Sequence, residues 1–472
     1  SGDTGSLTFW PRFSQPKELN VTGNVVLRTK EEKTGDTRTM QTAALRMEFS
    51  GGKEHESSKP LSAETLAAGT MEWTDATTQG GTIVPARTQL QADKLAMTFA
   101  DATGKAKEVH ANGNVRTERW LTGHPVQTAS AATGTALMAP DGGWSQIDLQ
   151  GDVKLKEADR SGQADRASFD RAAQTATLTG HAIARDATTQ TQAHRIVFHQ
   201  DNGDIFADGG VRSTDFTAKA SAVQLAPAPA NITADQLQAN SKTGRALYTG
   251  KARLWQGDSV LEANSIELLR DSHVLNAAGN VRAVFPQAPG APALGSSAQS
   301  NKTTSFNPPT RPVNTSQVVP KKSQLWHASS EALTYNDVEG KARLEKNVVV
   351  QSADQKMRGP VLDLYFTKAP TAASANNTNN SAATPAGSRQ ISRAVGTGGV
   401  TVEEGDRRAV ADRGEYSADS GKFVMSGGKP TLYDGSAGTT TGTQLTFFLA
   451  DDTIIVDSEN GSRTLTKHRV QQ

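Results

Sequence analysis

Along most of the chain, apolar and polar residues alternate with a period of two. Leu45-x-Met47-x-Phe49, Leu95-x-Met97-x-Phe99, Ile266-x-Leu268, Leu362-x-Leu364-x-Phe366 and Leu445-x-Phe447-x-Leu449 each put one set of apolar side chains on a single face of a strand. The opposite phase, with Arg46, Glu48, Lys94, Glu267, Asp363 and Thr446, is polar. Asp, Asn and Gly punctuate the runs, as turn formers do. No segment sustains the i, i+3, i+4, i+7 pattern of a capped helix; residues 60–68 come nearest and are short. The pattern predicts antiparallel β-structure nearly throughout.

A longer period overlies the short one. Gly-x-(Val/Ala) anchors start at Gly23, Gly113, Gly151, Gly180, Gly209, Gly250, Gly279 and Gly398, with a variant at Gly427. Four intervals are equal (180−151, 209−180, 279−250 and 427−398 are all 29 residues), which is the signature of a repeat architecture. The glycines are expected in turns between strands, where positive φ is needed. Two segments break the pattern. Residues 286–323, rich in Pro, Ser, Asn and Thr, read as a flexible linker, and residues 368–389 read as a disordered insertion between two strands. The chain accordingly divides into a repeat region at 1–285 and a second unit at 324–472.

Composition narrows the class. In 472 residues only 35% are hydrophobic and 5% aromatic, with 42 glycines, too little apolar material for a thick core. A thin, elongated structure whose strands each show one face to water fits better. Fifty basic against 49 acidic residues leave a formal charge of +1, without the basic block expected of a nucleic-acid binder. Cysteine is absent, which excludes disulfides, thiol catalysis and zinc–thiolate sites. No apolar run is long enough to span a bilayer as a helix. The start at Ser1-Gly2-Asp3 reads as that of a processed or truncated chain, so export stays open.

Reactive chemistry finds no foothold. Neither Gly104-Lys105 nor Gly250-Lys251 completes a phosphate-binding loop, and no Gly-x-Ser-x-Gly elbow occurs. His194 and His199, five apart, point to opposite faces of a strand. The acidic pairs Glu403-Glu404 and Asp451-Asp452 belong with turns. The expectation is a protein that is not an enzyme, with no catalytic residue, metal or cofactor. What remains is the apolar column, read either as an ordinary closed core or as a groove that stays partly open to an apolar ligand.

The C-terminal unit carries a resemblance. KFVMSGGKPTLYDG at 422–435, GTQLTFFL at 442–449 and the closing DSENGSR at 457–463, with the strands of 326–366 before them, are similar to an OstA-type domain. That domain occurs in lipopolysaccharide-transport proteins of the LptA and LptC type. QADKLAMTFADATGKAKEVHANGNVRTE at 91–118 and LEANSIELLRDSHVLNAAGNVRAVF at 261–285 carry the same signature more loosely.

The resemblance implies an all-β, antiparallel β-jellyroll (β-taco) built of OstA-like repeats in two units. It implies a periplasmic bridge that shelters the acyl chains of lipopolysaccharide between inner and outer membranes, with or without an inner-membrane tether. Implied partners are lipopolysaccharide, the inner-membrane ATPase complex, the outer-membrane translocon and further copies of the chain, joined by strand addition at edges near residues 19–28 and 462–470. Leu45, Met47, Phe49, Leu95, Met97, Phe99, Ile266, Leu268, Leu362, Leu364, Phe366, Leu445 and Phe447 are then the candidate lipid-facing wall. The competing expectation is a structural or adhesive β-solenoid with a closed, dry interior.

Overall fold

The computed structural model describes residues 1–30, 37–52, 57–79, 82–100, 104–139, 143–216, 228–286, 325–352, 355–367, 391–435, 438–448, 453–458 and 465–467. These residues form strands and turns and no α-helix. They group into two compact units, one of Ser1–Ser213 with Gln236–Lys242 and one of Thr214–Asp235 with Thr243–Gln472.

The first strands are β1 (Thr4–Phe9), β2 (Pro16–Lys30), β3 (Thr37–Phe49), β4 (Pro60–Thr65) and β5 (Gly69–Gln79). Next come β6 (Thr82–Ala92), β7 (Lys94–Phe99), β8 (Ala106–Leu121), β9 (Gln127–Met138) and β10 (Trp144–Glu157). Then follow β11 (Arg160–Asp170), β12 (Thr175–Arg185), β13 (Thr189–His199), β14 (Asp204–Asp215) and β15 (Ala230–Asn240). The second unit continues with β16 (Arg245–Gln256), β17 (Ser259–Leu269), β18 (Val274–Pro286), β19 (Leu325–Asn336) and β20 (Lys341–Gln351). After these come β21 (Gln355–Phe366), β22 (Ile391–Glu404), β23 (Arg407–Ser417), β24 (Lys422–Ser426) and β25 (Thr431–Asp434). The last described are β26 (Gly438–Thr441), β27 (Gln444–Phe448), β28 (Thr453–Asp457) and β29 (Leu465–Lys467). Residues 60–68, the weak helical candidate, begin with a strand.

The long strands are bent, and each serves two sheets. In the first unit β3 pairs β5 through Arg38–Thr42 and β4 through Leu45–Phe49. Likewise β8 pairs β6 through residues 116–121 and β7 through residues 106–112. Met40, Met71 and Leu90 from one sheet pack in a single core with Leu45, Ala63, Leu95 and Met97 from the other. Two sheets that share bent strands and one core make a jellyroll. In the second unit β23 divides the same way, to β25 through Arg407–Val410 and to β24 through Arg413–Ser417.

The bends explain the glycine anchors and correct their expected place. Gly113 (φ +74°) and Asn114 (φ +48°) sit inside β8, not between strands. The same left-handed pair recurs at Gly23-Asn24, Gly151-Asp152, Gly180-His181, Gly250-Lys251 and Gly279-Asn280. The register slips at each, for example between Asn112 and Val115 and between Thr249 and Ala252. These are β-bulges that turn a strand through a corner. The 29-residue period is therefore one hairpin, a bent strand out and a bent strand back.

Most corners also meet a polar residue that precedes them in the chain, while Gly151 meets Ala132. A Cβ at Gly113 would lie 2.9 Å from the Asp93 Cβ, and Gly180 and Gly250 face Asp165 and Asp235 in the same way. The carboxylates bond the corner's second residue: Asn114 Nδ2 donates to Asp93 Oδ2 at 2.8 Å, and His181 Nδ1 lies 2.9 Å from Asp165 Oδ2. Each of these aspartates follows a buried alanine (Ala92, Ala164, Ala234), small enough to let the corner close.

The edges differ from expectation. Residues 16–22 of β2 are covered by β1, and Ser1 bonds Val26 through its amino group and its carbonyl, both at 2.9 Å. The N-terminal edge is therefore β1, which pairs only β2 among the described strands. Toward the other terminus β28 pairs only β27 and β29 only β26 among the described strands. Of the expected edge at 462–470, only residues 465–467 are described. The linker expected at 286–323 lies outside the described residues apart from Pro286, and β18 and β19 on either side of it pair directly, down to Pro286 with Leu325. The insertion at 368–389 also lies outside them, between paired β21 and β22.

Outward-facing charges form cross-strand ion pairs. Hydrogen bonding from Lys94 holds the Glu64 carboxyl below the ordinary 4.5. Asn276 and then Arg245 do so for Glu267, and Arg393 for Glu415. A carboxylate whose folded value is depressed stabilises above its unfolded pKa and loses that contribution as pH falls through the folded one. Melting temperature is therefore expected to be flat from neutral pH to about 5 and to decline below about 4.5. All three groups are half-buried at the surface and still screened by solvent, so each contributes little. A thermal melt series in buffers of fixed ionic strength checks this; a decline that starts above pH 6 contradicts it.

Candidate functional site

The inner face of the first unit does not close everywhere. A cleft with about 850 Å³ of empty space, part of it open to solvent, lies between strands β3, β5, β6, β8, β9 and β10. Met71, Trp73, Leu90, Val109, Val115, Met138, Trp144, Ile147 and Leu149 supply its apolar lining. Ala111, Gly134 and Ala136 leave the room that larger side chains would fill. The polar contributions are few, chiefly Arg38, Thr74, Thr117 and Thr135. Five of the lining residues (Met71, Leu90, Val109, Ala111 and Val115) also belong to the buried core, so the cleft is a part of that core left unfilled.

The first-unit candidate residues adjoin this cleft and do not line it. Leu45, Met47, Leu95 and Met97 are buried in the adjoining core, with half-buried Phe49 and Phe99 packed against it. None of these six borders the open space. In the second unit Ile266, Leu362, Leu364, Phe366 and Leu445 are buried, while Leu268 and Phe447 are half-buried. Phe366 packs against Phe285 and Tyr335 with both centroids at 5.8 Å, and Phe447 against Phe423 at 6.2 Å. Thr446, placed in the polar phase, is buried as well. The cleft residues that sequence reading missed lie on the same kind of run, Met71-x-Trp73 and Ile147-x-Leu149, so alternation marked the face they occupy.

The perturbed ionisable groups among the described residues sit in ion pairs, turns and core packing. Glu64, Glu267 and Glu415 are held by cations on outward faces. Burial would raise the Asp186 carboxyl, but bonds from Thr188 and Thr189 in its turn outweigh it and lower the value. Burial raises the Tyr416 hydroxyl. Among the described residues no three His, Cys, Asp or Glu side chains gather as metal ligands would. The site can exclude water from apolar matter and little else.

Comparison with known sequences decides the family. The sequence model described as LptA/(LptD N-terminal domain) LPS transport protein matches residues 76–204 and 231–369, more than half of the chain. The chain belongs to this family. The LptA/LptD match takes in the cleft from Leu90 to Leu149 and the runs at Leu95, Ile266 and Leu362. It ends before residues 422–463, where the sequence resemblance to LptA-type proteins was most specific. No curated protein matches. Among solved structures, the chain is similar to LptH, the LptA homologous periplasmic component of the lipopolysaccharide transport device from Pseudomonas aeruginosa. That alignment has 17% identity and a TM-score of 0.23, and covers 25% of this chain and 82% of LptH.

Proposed function

We infer that this protein shelters the acyl chains of lipopolysaccharide in the cleft of its first unit while the lipid crosses the periplasm between inner and outer membranes. The observation that carries this reading is the unfilled apolar space itself. A closed structural solenoid would fill its interior, whereas here Ala111, Gly134 and Ala136 keep it open beside Met71, Val109 and Ile147. Each CH₂ removed from water is worth about 0.8 kcal/mol, so a multi-chain lipid needs such a wall for the whole crossing. Apolar contact is non-directional and makes few deep stops, so cargo slides and direction comes from an ATP-driven partner. The candidate columns of the first unit, Leu45-x-Met47 and Leu95-x-Met97, belong to the core that adjoins this wall. Other transport components join by strand addition at β1 and β28, whose outer edges carry exposed Leu7, Phe9 and Ile455. No chemical step is involved.

Site-specific photocrosslinking in cells that make lipopolysaccharide tests this. A photoreactive residue at Met138 or Ile147 is expected to give lipid adducts, and one at outward Glu72 or Asp363 none. Adducts at neither inward position would return the closed solenoid as the better reading.

A further inference from the structure

The second unit meets solvent through aromatic rings. Its strands change register at corners, so each gives one half to either sheet. Residues 274–278 of β18, 332–336 of β19, 341–345 of β20 and 361–365 of β21 pair in one sheet. Phe366 continues it, donating its N–H to the Gly340 carbonyl at 2.8 Å. Residues 281–286 of β18 pair with 325–330 of β19 in the other sheet. Tyr335 and Phe366 thus stand at the outer end of the first sheet and Phe285 at the outer end of the second. Along the ladder β18 and β21 are three strands apart, about 14 Å at ordinary spacing. Yet the ring centroids of Phe285 and Phe366 are 5.8 Å apart, and Phe366 meets Tyr335 edge-on at the same distance. Phe285 reaches Phe366 across the interior, from one lip of the unit to the other.

The rings are the last layer before solvent. Phe285 and Phe366 keep 8% and 9% of their surface exposed, whereas Ala283 and Leu362, deeper on the same faces, keep 1% each. Small residues line the walls behind them. Tyr335 is paired with Ala342, and Ala283 with Ala328, all four buried. In the first unit small residues leave a cleft open. Here rings come in from the lips and take up the room. They are not held alike. The Tyr335 hydroxyl donates to Asp337 Oδ1 at 3.0 Å. Phe285 and Phe366 carry no polar side-chain atom, so either ring can turn outward without breaking a hydrogen bond.

We propose that Phe285 and Phe366, with Tyr335 as their fixed post, form a clasp that shuts the interior of the second unit to acyl chains and opens to admit them. This rests on the acyl-sheltering reading above. An apolar chain is the ligand that can replace the rings against Ala283, Ala328 and Ala342. Opening exposes two rings to water, and the entering chain offsets that loss, so cargo shifts the population toward the open state. At rest, acyl capture falls to the first unit.

The chain contains no cysteine, so introduced thiols report alone. Phe285→Cys with Phe366→Cys is made in the full chain carrying Ala136→Phe, which fills the first unit's cleft. Binding of a fluorescent anthroyloxy-stearate probe is titrated before and after a short bismaleimide joins the two thiols. Ala136→Phe alone is expected to bind weakly, the unjoined cysteine pair about tenfold more tightly, and the joined chain weakly again. Phe285→Leu, which keeps an apolar side chain, should also raise binding above that of Ala136→Phe alone, and it decides if the cysteine pair does not fold. Equal binding before and after joining a folded pair, or thiols too far apart to be joined, overturns the clasp. So does tight binding by Ala136→Phe alone, the mark of a second unit open at rest. A wild-type chain that binds no probe sinks the sheltering reading itself.

Discussion

Gly113→Ala is expected to lower stability by about 3 kcal/mol, well beyond the usual cost of a surface glycine change. Two terms add. At φ +74° an L-residue is strained by about 1–2 kcal/mol. The new methyl also overlaps the Asp93 carboxylate and sits 2.9 Å from its Cβ, too close to the stem of the side chain to be relieved by rotating its end. Gly210→Ala separates the terms, because its φ is +82° but nothing lies within 4 Å of the added methyl. It should cost only the first, about 1 kcal/mol. For a unit of this size the two variants should melt roughly 6–12 °C and 2–4 °C below the parent. Asp93→Ala in the Gly113→Ala background should recover part of the loss, since it removes the overlap at the expense of the bond from Asn114. Equal melting shifts for Gly113→Ala and Gly210→Ala would show that the corner carboxylate does not set the bend.

The same corner shows what the sequence could and could not reveal. Period-two alternation located the strands and their inward phase, as at Leu95, Ile266 and Leu445, which are fully buried. It could not tell a corner from a hairpin turn. Both need positive φ, both favour Gly and Asn, and alternation resumes after either. The true hairpin turns use other residues, such as Asp186 with Thr188 and Thr189. Reading Gly23-Asn24 as a turn helped misplace the N-terminal edge, since β2 runs straight through it and β1 covers its first half. The cleft was hidden for another reason. Alternation says which side a residue faces, not whether its neighbours across the core reach it. Met71 and Met97 look alike in sequence, yet only Met71 borders open space, because the small residues Ala111, Gly134 and Ala136 are brought near it by pairings far apart in the chain.

That difference between filled and unfilled core yields the second large effect. Leu95→Ala, at a fully buried position, should cost about 3 kcal/mol through lost contact and a residual cavity, while lipid capture per folded molecule stays near the parent's. Ala136→Phe should do the reverse. Its ring enters the cleft, so the melting temperature should hold or rise slightly, and bound acyl probe should fall at least tenfold. In a closed, dry interior the same substitution would overpack and cost about 1–3 kcal/mol, with no lipid binding to lose. Calorimetry and probe titration on the two variants therefore distinguish a wall that holds lipid from a core that only holds itself. If Ala136→Phe destabilised the chain as Leu95→Ala does and left probe binding intact, the cleft would be structural slack and the cargo would have to lie elsewhere. If stability and capture part company as expected, the alanines and glycine facing Met71 are there to keep a space empty, which a protein selected for stability alone would have filled.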